Sequence, residues 1–77
     1  MLEKIKELIC NYVEVNAEDI TADSRFIEDL GFNSYDFISM LGDLEGEFGV
    51  TVDETEIADV HTVGEAVKYL SSLKERQ

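Results

Sequence analysis

Ser34 is the residue in this chain best placed to take part in chemistry. It lies in the run Asp29-Leu30-Gly31-Phe32-Asn33-Ser34-Tyr35-Asp36-Phe37, where the chain bends at Gly31 and opens into a helix with Ser34 at or near its first turn. A hydroxyl there can cap the helix, attack a substrate, or accept a group transferred by another enzyme. Attack needs a general base and an oxyanion site. The one histidine, His61, falls in a linker with no serine, cysteine or second histidine arranged beside it, so no Ser-His-Asp set can be named. We therefore expect no catalytic residue. Capping and modification both stay open for Ser34.

The elements that must hold Ser34 are helical. After it, Phe37, Leu41, Leu44 and Phe48 recur at the period of an amphipathic helix with one buried stripe, running from about Ser34 to Phe48 and stopped by Gly49. Asn33 or Ser34 is the N-cap, and Asp36 suits the positive end of the helix dipole. Tyr35 lies nearly opposite the stripe and Ile38 at its margin, so the two form a small exposed apolar patch. Ser39, Gly42 and Gly46 also face outward. Each of the two glycines costs about 1 kcal/mol relative to alanine in a helix interior. They make either a smooth strip or a softer helix.

A first helix is expected over residues 2–14, with Leu2, Ile5, Leu8, Ile9, Tyr12 and Val13 on its apolar face. Cys10, on the flank of that face, reads as a packing residue because no basic cluster adjoins it. From Val15 to Asn33 the period breaks into a long connection. Ile20, Phe26, Ile27, Leu30 and Phe32 are too many large apolar residues for a solvated loop, so this connection packs. Ala17–Ile20 can hold one helical turn, and Asp23 or Ser24 can cap another through Phe26 and Ile27. Asp53–Val60 reads as a short helix capped by Asp53, with Ile57 and Val60 inward. Its acids suit a solvated turn better than a divalent ion. Thr62-Val63-Gly64-Glu65 is a capping box, and Val63, Ala66, Val67, Leu70 and Leu73 give the last helix its buried face. The expected fold is all-α: a small four-helix bundle, three principal helices and one short one, with a long first loop.

Composition narrows the function. Seventy-seven residues with 44% hydrophobic content make one domain, 1–77, with a small core; a chain of this size buries only about 60% of its unfolded surface. That leaves no room for a deep cleft of the ~300–1,000 Å³ usual for substrates, a second argument against an enzyme. The charge is lopsided, 18 Asp+Glu against 6 Lys+Arg for a net −12. Nucleic acid is excluded as a partner for want of a basic footprint, and an anionic membrane surface likewise. Partners with basic patches are favoured. The start of the chain reads neither as a signal peptide nor as a membrane span, and the expected compartment is the cytoplasm. The lone cysteine forms no internal disulfide, and no metal site is expected. An EF-hand starting at Asp29 puts Gly31 and Ser34 where an acid and the glycine belong and Met40 where the last glutamate belongs. No P-loop motif is present.

The run Phe26-Ile27-Glu28-Asp29-Leu30-Gly31-Phe32-Asn33-Ser34-Tyr35-Asp36 resembles the attachment site of the acyl carrier proteins, whose usual form is F-x-E-D-L-G-x-D-S-L-D. The likeness extends through Ile20-Thr21-Ala22-Asp23-Ser24 before it, Leu44–Val50 after it and Thr62–Leu70 near the end. The resemblance implies that Ser34 carries a covalent 4'-phosphopantetheine arm, added from coenzyme A by a separate transferase, with acyl groups held as thioesters on the arm's thiol. It also implies partner recognition by Asp36, Glu45 and Glu47 as acidic positions and by Tyr35 and Ile38 as apolar ones. Three departures stand out. Asn33 replaces the usual aspartate, Ser39 and Gly46 stand where many carriers have glutamates, and Gly42 stands where a larger apolar residue is common.

The implied function is a freestanding, monomeric acyl carrier in fatty-acid, polyketide or specialised lipid biosynthesis. Its partners are a phosphopantetheinyl transferase and acyl-transfer or synthase enzymes with basic patches. The departures point toward a dedicated pathway. Two alternatives stand beside it: a peptidyl or aminoacyl carrier, and a non-carrier acidic interaction module in which Ser34 is only a helix cap.

Overall fold

A computed structural model describes residues 2–76. Its helices are α1 (Leu2–Tyr12), α2 (Ser34–Phe48), α3 (Glu54–Ile57) and α4 (Val63–Glu75), with a 3₁₀ turn at Ala17–Asp19. This is the expected three long helices and one short one. Among the described residues there is no strand, only an isolated antiparallel bridge between Arg25 and Thr62. No described helix is long and apolar enough to cross a membrane.

The core is built from one face of each long helix and from the long connection. Ile5 and Ile9 come from α1, Met40, Leu41 and Leu44 from α2, and Val63, Ala66, Leu70 and Leu73 from α4. The connection adds Ile20, Phe26, Leu30 and Phe32. Phe26 sits edge-on to Phe32 with ring centroids 5.6 Å apart and tilted to Phe37 at 5.1 Å. The loop therefore packs like a core element.

Several expectations need correction. Helix α1 stops at Tyr12, two residues short of 14; the β-branched Val13 and Val15 favour extended backbone there. Cys10 does not pack: it is exposed, with its thiol 3.4 Å from the Val15 carbonyl. Ile27 is half exposed, because the turn over 26–30 points Phe26 and Leu30 inward and Ile27 out. Ser24 caps no turn through Phe26; its hydroxyl instead accepts the Thr21 N–H at 2.9 Å. The buried stripe of α2 includes Met40, fully buried, while Phe37 and Phe48 at its ends are only half-buried. Helix α3 spans four residues, not Asp53–Val60, although Asp53 is its cap as expected, accepting the Thr55 N–H at 2.8 Å.

Polar contacts fix the connections. The Thr62–Glu65 capping box is complete, and Glu65 also accepts the His61 N–H at 2.9 Å; these bonds hold its carboxyl below the usual range. The long loop is stitched to the start of α4 by Phe26 N–H to His61 O and Val63 N–H to Ser24 O, both 3.0 Å, and by Gly64 N–H to Ala22 O at 2.8 Å. A Cβ on Gly64 would lie 3.0 Å from that carbonyl oxygen and 3.1 Å from the Ala22 Cβ, so this approach requires glycine. At the other end, the Tyr69 hydroxyl donates to Glu56 Oε1 at 3.0 Å and accepts the Asp53 N–H at 2.9 Å. Arg76 completes this cluster at 3.1 Å from Glu56 and holds the Glu56 carboxyl below its usual range. Helix α3 buries no residue completely; Ile57 packs against the core, and these polar contacts tie its N-terminal end to α4 and Arg76.

Gly42 and Gly46 are exposed, and a Cβ at either would meet nothing within 4 Å. Packing does not demand glycine at these positions. Gly46→Ala should therefore raise stability by about 0.5–1 kcal/mol, measured by urea denaturation; a loss of stability would show that close packing at this position had been missed.

Candidate attachment site at the start of the second helix

The loop that presents Ser34 is closed by its own hydrogen bonds. Arg25 O accepts the N–H groups of Asp29 and Leu30, both at 3.0 Å, and Phe26 O accepts the Phe32 N–H at 2.9 Å. The Arg25 side chain reaches Asp29 at 3.2 Å, and the Arg25 N–H donates to the same carboxylate at 2.9 Å. That pairing holds the Asp29 carboxyl below its ordinary range. Gly31 makes the last bend with φ +80°, in the left-handed region that favours glycine. Buried Phe26, Leu30 and Phe32 pin the loop from beneath.

Asn33 settles the capping question. It is extended at φ −99° and ψ 174°, and its Oδ1 accepts the Asp36 N–H at 2.8 Å. Ser34 is the first helical residue, exposed, and its hydroxyl has no hydrogen-bond partner among the described residues. The reading of Ser34 as the helix cap is therefore wrong. Asn33→Ala should cost about 1 kcal/mol, measured by urea denaturation; a cost near zero would contradict the assignment of the cap.

The surroundings suit an attached phosphodiester. The Asp36 N–H is taken by the cap and the Phe37 N–H by the Asn33 carbonyl at 3.0 Å. The N–H groups of Ser34 and Tyr35 have no partner among the described residues, and free N–H groups at a helix N-terminus favour negative charge. An exposed hydroxyl, unpaired donors and a helix of 15 residues behind them fit a phosphate ester at Ser34.

The sequence-nominated recognition residues divide into two groups. Tyr35 and Ile38 are 83% and 64% exposed and, with Ser39, frame a hollow of about 230 Å³. Asp36 is half-buried, and its carboxylate makes no hydrogen bond or ion pair among the described residues, although its charge is felt by the Tyr12 hydroxyl. Glu45 and Glu47, by contrast, are engaged within the fold. Glu45 Oε2 accepts the Val52 N–H at 2.8 Å, and Glu47 pairs with Lys4 of α1 at 3.0 Å. Asp43, which the sequence did not single out, accepts a short bond from the Tyr12 hydroxyl.

The expectation that the chain has no room for a pocket of ~300–1,000 Å³ needs correction, because a groove opens between α2 and α3. It has a volume of about 440 Å³ and is lined by Ile38, Leu41, Gly42, Val52 and Ile57, with Glu45 and Glu54 at its polar edge. Ser34, Ile38 and Gly42 are spaced four apart and so share one helix face, which leads from the hydroxyl to the groove. The visible signal was that spacing, but the second wall comes from α3, whose position depends on tertiary contacts. The described residues hold no cluster of three or more His, Cys, Asp or Glu side chains suited to a metal ion. Two of the three acids at α3 are occupied, Asp53 as the cap and Glu56 by Tyr69 and Arg76, while Glu54 lines the groove.

Comparison with known proteins agrees with this geometry. A family model described as "Phosphopantetheine attachment site" matches residues 3–70. An acyl carrier protein from Enterococcus faecalis has a similar structure, with a TM-score of 0.81 at 29% identity over 94% of this chain and 91% of that one. Both matches extend well beyond the serine motif and take in all four helices or most of them. The chain belongs to the acyl carrier protein family, carriers rather than catalysts, whose members hold 4'-phosphopantetheine covalently.

Proposed function

We propose that Ser34 is the attachment residue and that this chain carries acyl groups for a dedicated lipid or polyketide pathway. The observation that carries the assignment is the state of the Ser34 hydroxyl, exposed at the first position of α2 and relieved of capping by Asn33. In loading, Ser34 Oγ forms a bond to the phosphorus of coenzyme A's pantetheine-bearing phosphate. The pyrophosphate P–O bond breaks, adenosine 3',5'-bisphosphate leaves, and the serine proton passes to a base on the transferase. Once bound, phosphopantetheine supplies a terminal thiol on which acyl groups are held as thioesters.

The chain's own residues do the rest. The free N–H groups of Ser34 and Tyr35 favour the phosphate's charge. Tyr35 and Ile38 offer an apolar contact to transferase and synthase partners, and Asp36 offers an unpaired carboxylate to their basic patches. The α2–α3 groove, apolar along most of its lining, is suited to shelter an acyl chain. The dedicated pathway is supported by the make-up of α2. Gly46 and Ser39 add no charge, and Asp43, Glu45 and Glu47 are all bonded within the fold. A partner that depends on a row of free carboxylates finds little here.

The test is intact mass after incubation with coenzyme A and a broad-specificity phosphopantetheinyl transferase. Gain of one phosphopantetheine per chain is expected. No gain with that transferase, and none after Asn33→Asp restores the usual motif, would overturn the assignment.

A further inference from the structure

Asn33 does more at this site than end a helix. The Asp36 N–H is a donor and must be met by the amide oxygen, so the cap fixes which way round the Asn33 amide lies. The Nδ2 group is left on the opposite side of Cγ with two N–H donors, exposed and without a partner among the described residues. An aspartate in the same place would spend one oxygen on the cap and leave the second as a charged acceptor. Asparagine turns that second atom from a repelling acceptor into a donor, one residue from the Ser34 hydroxyl.

We infer that Asn33 is a positioning residue for the arm: its Nδ2 donates to a phosphodiester oxygen and holds the root of the arm against the start of α2. The inference rests on Ser34 being the attachment residue. A phosphodiester carries one negative charge, and a hydrogen bond to a charged acceptor is among the stronger kinds. The Ser34 and Tyr35 N–H groups approach the same charge from the helix end, so Asn33 supplies a side-chain donor where the backbone already supplies two. The same residue then serves the unloaded protein as a cap and the loaded protein as cap and clamp.

The test compares unloaded and loaded protein, with loading verified by intact mass. In ¹⁵N-labelled protein the side-chain NH₂ pair of Asn33 is told apart from those of Asn11, Asn16 and Gln77 by its absence in Asn33→Ser. Loading should shift the Asn33 pair downfield and leave the other three in place. In parallel, Asn33→Asp should match the wild type in thermal midpoint before loading, since the two residues cap equally well. After loading it should fall below the wild type by about 2–5 °C, and the gap should narrow in high salt. A purely structural cap would not distinguish the two states. Full loading with an unmoved Asn33 NH₂ pair would overturn the inference while leaving the Ser34 assignment standing. If the transferase rejects Asn33→Asp, the wild-type resonance alone decides. Absence of any loading at Ser34 would remove the attachment assignment and this inference together.

Discussion

Ser34→Ala should abolish loading and leave the fold intact. The two halves of this result come from different parts of the geometry. Loading fails because the variant lacks the oxygen that bonds to phosphorus. Stability survives because the wild-type hydroxyl makes no hydrogen bond among the described residues and the cap belongs to Asn33. Alanine is the best helix former, and an exposed substitution away from any cap or core contact changes stability by within about 0.5 kcal/mol. Urea denaturation of the unloaded variant should overlay that of the wild type, while intact mass shows no gain. Asn33→Ala should weaken the fold yet keep the attachment oxygen, so the pair separates the structural residue from the chemical one. A Ser34→Ala protein that still gained phosphopantetheine would move the site elsewhere.

Phe26→Ala should have the largest effect on stability. The ring is 1% exposed and meets both Phe32 and Phe37. Removing a buried phenylalanine costs about 3–5 kcal/mol from lost transfer energy and the cavity left behind. A domain of 77 residues has roughly 4–12 kcal/mol in total at ~0.05–0.15 kcal/mol per residue. The variant should therefore lose a quarter or more of its stability, read as a fall in the urea midpoint. The effect also reaches the site. Phe26 lies beneath the loop that presents Ser34, and its backbone holds both His61 O and the Phe32 N–H. Amide exchange over residues 25–36 should accelerate more than in α1. A loss below about 1 kcal/mol would mean that the aromatic cluster does not anchor the connection.

Much of this was legible in the residues. Periodicity and Gly49 gave α2 nearly to the residue, and the Thr62–Glu65 box fixed where α4 begins, because each has a strong stripe and an explicit boundary signal. Tyr35 and Ile38 fell on the outer face by helical spacing alone, and both are exposed. What sequence left undecided was local chemistry between neighbours. Asn33 and Ser34 are both good caps, and only the direction of the Asp36 N–H separates them. Glu45 and Glu47 read as free surface acids because their partners, the Val52 N–H and Lys4, are brought up by tertiary packing. Met40 falls outside the stripe of Phe37, Leu41, Leu44 and Phe48, yet it lies three residues after Phe37 and four before Leu44, on the same buried face. The misread short segments, Cys10 and Ile27, lie at a helix flank and in a turn, where one step of rotation separates core from solvent.

Loading at Ser34 turns on one oxygen atom, and fragmentation mass spectrometry of the loaded chain examines it directly. The protein offers five serines: Ser24, Ser34, Ser39, Ser71 and Ser72. Digestion after loading and sequencing of the modified peptide should place the whole added mass on Ser34, with the other four unmodified. Added mass on Ser39, the next exposed serine along α2, or on any of the rest would contradict the assignment.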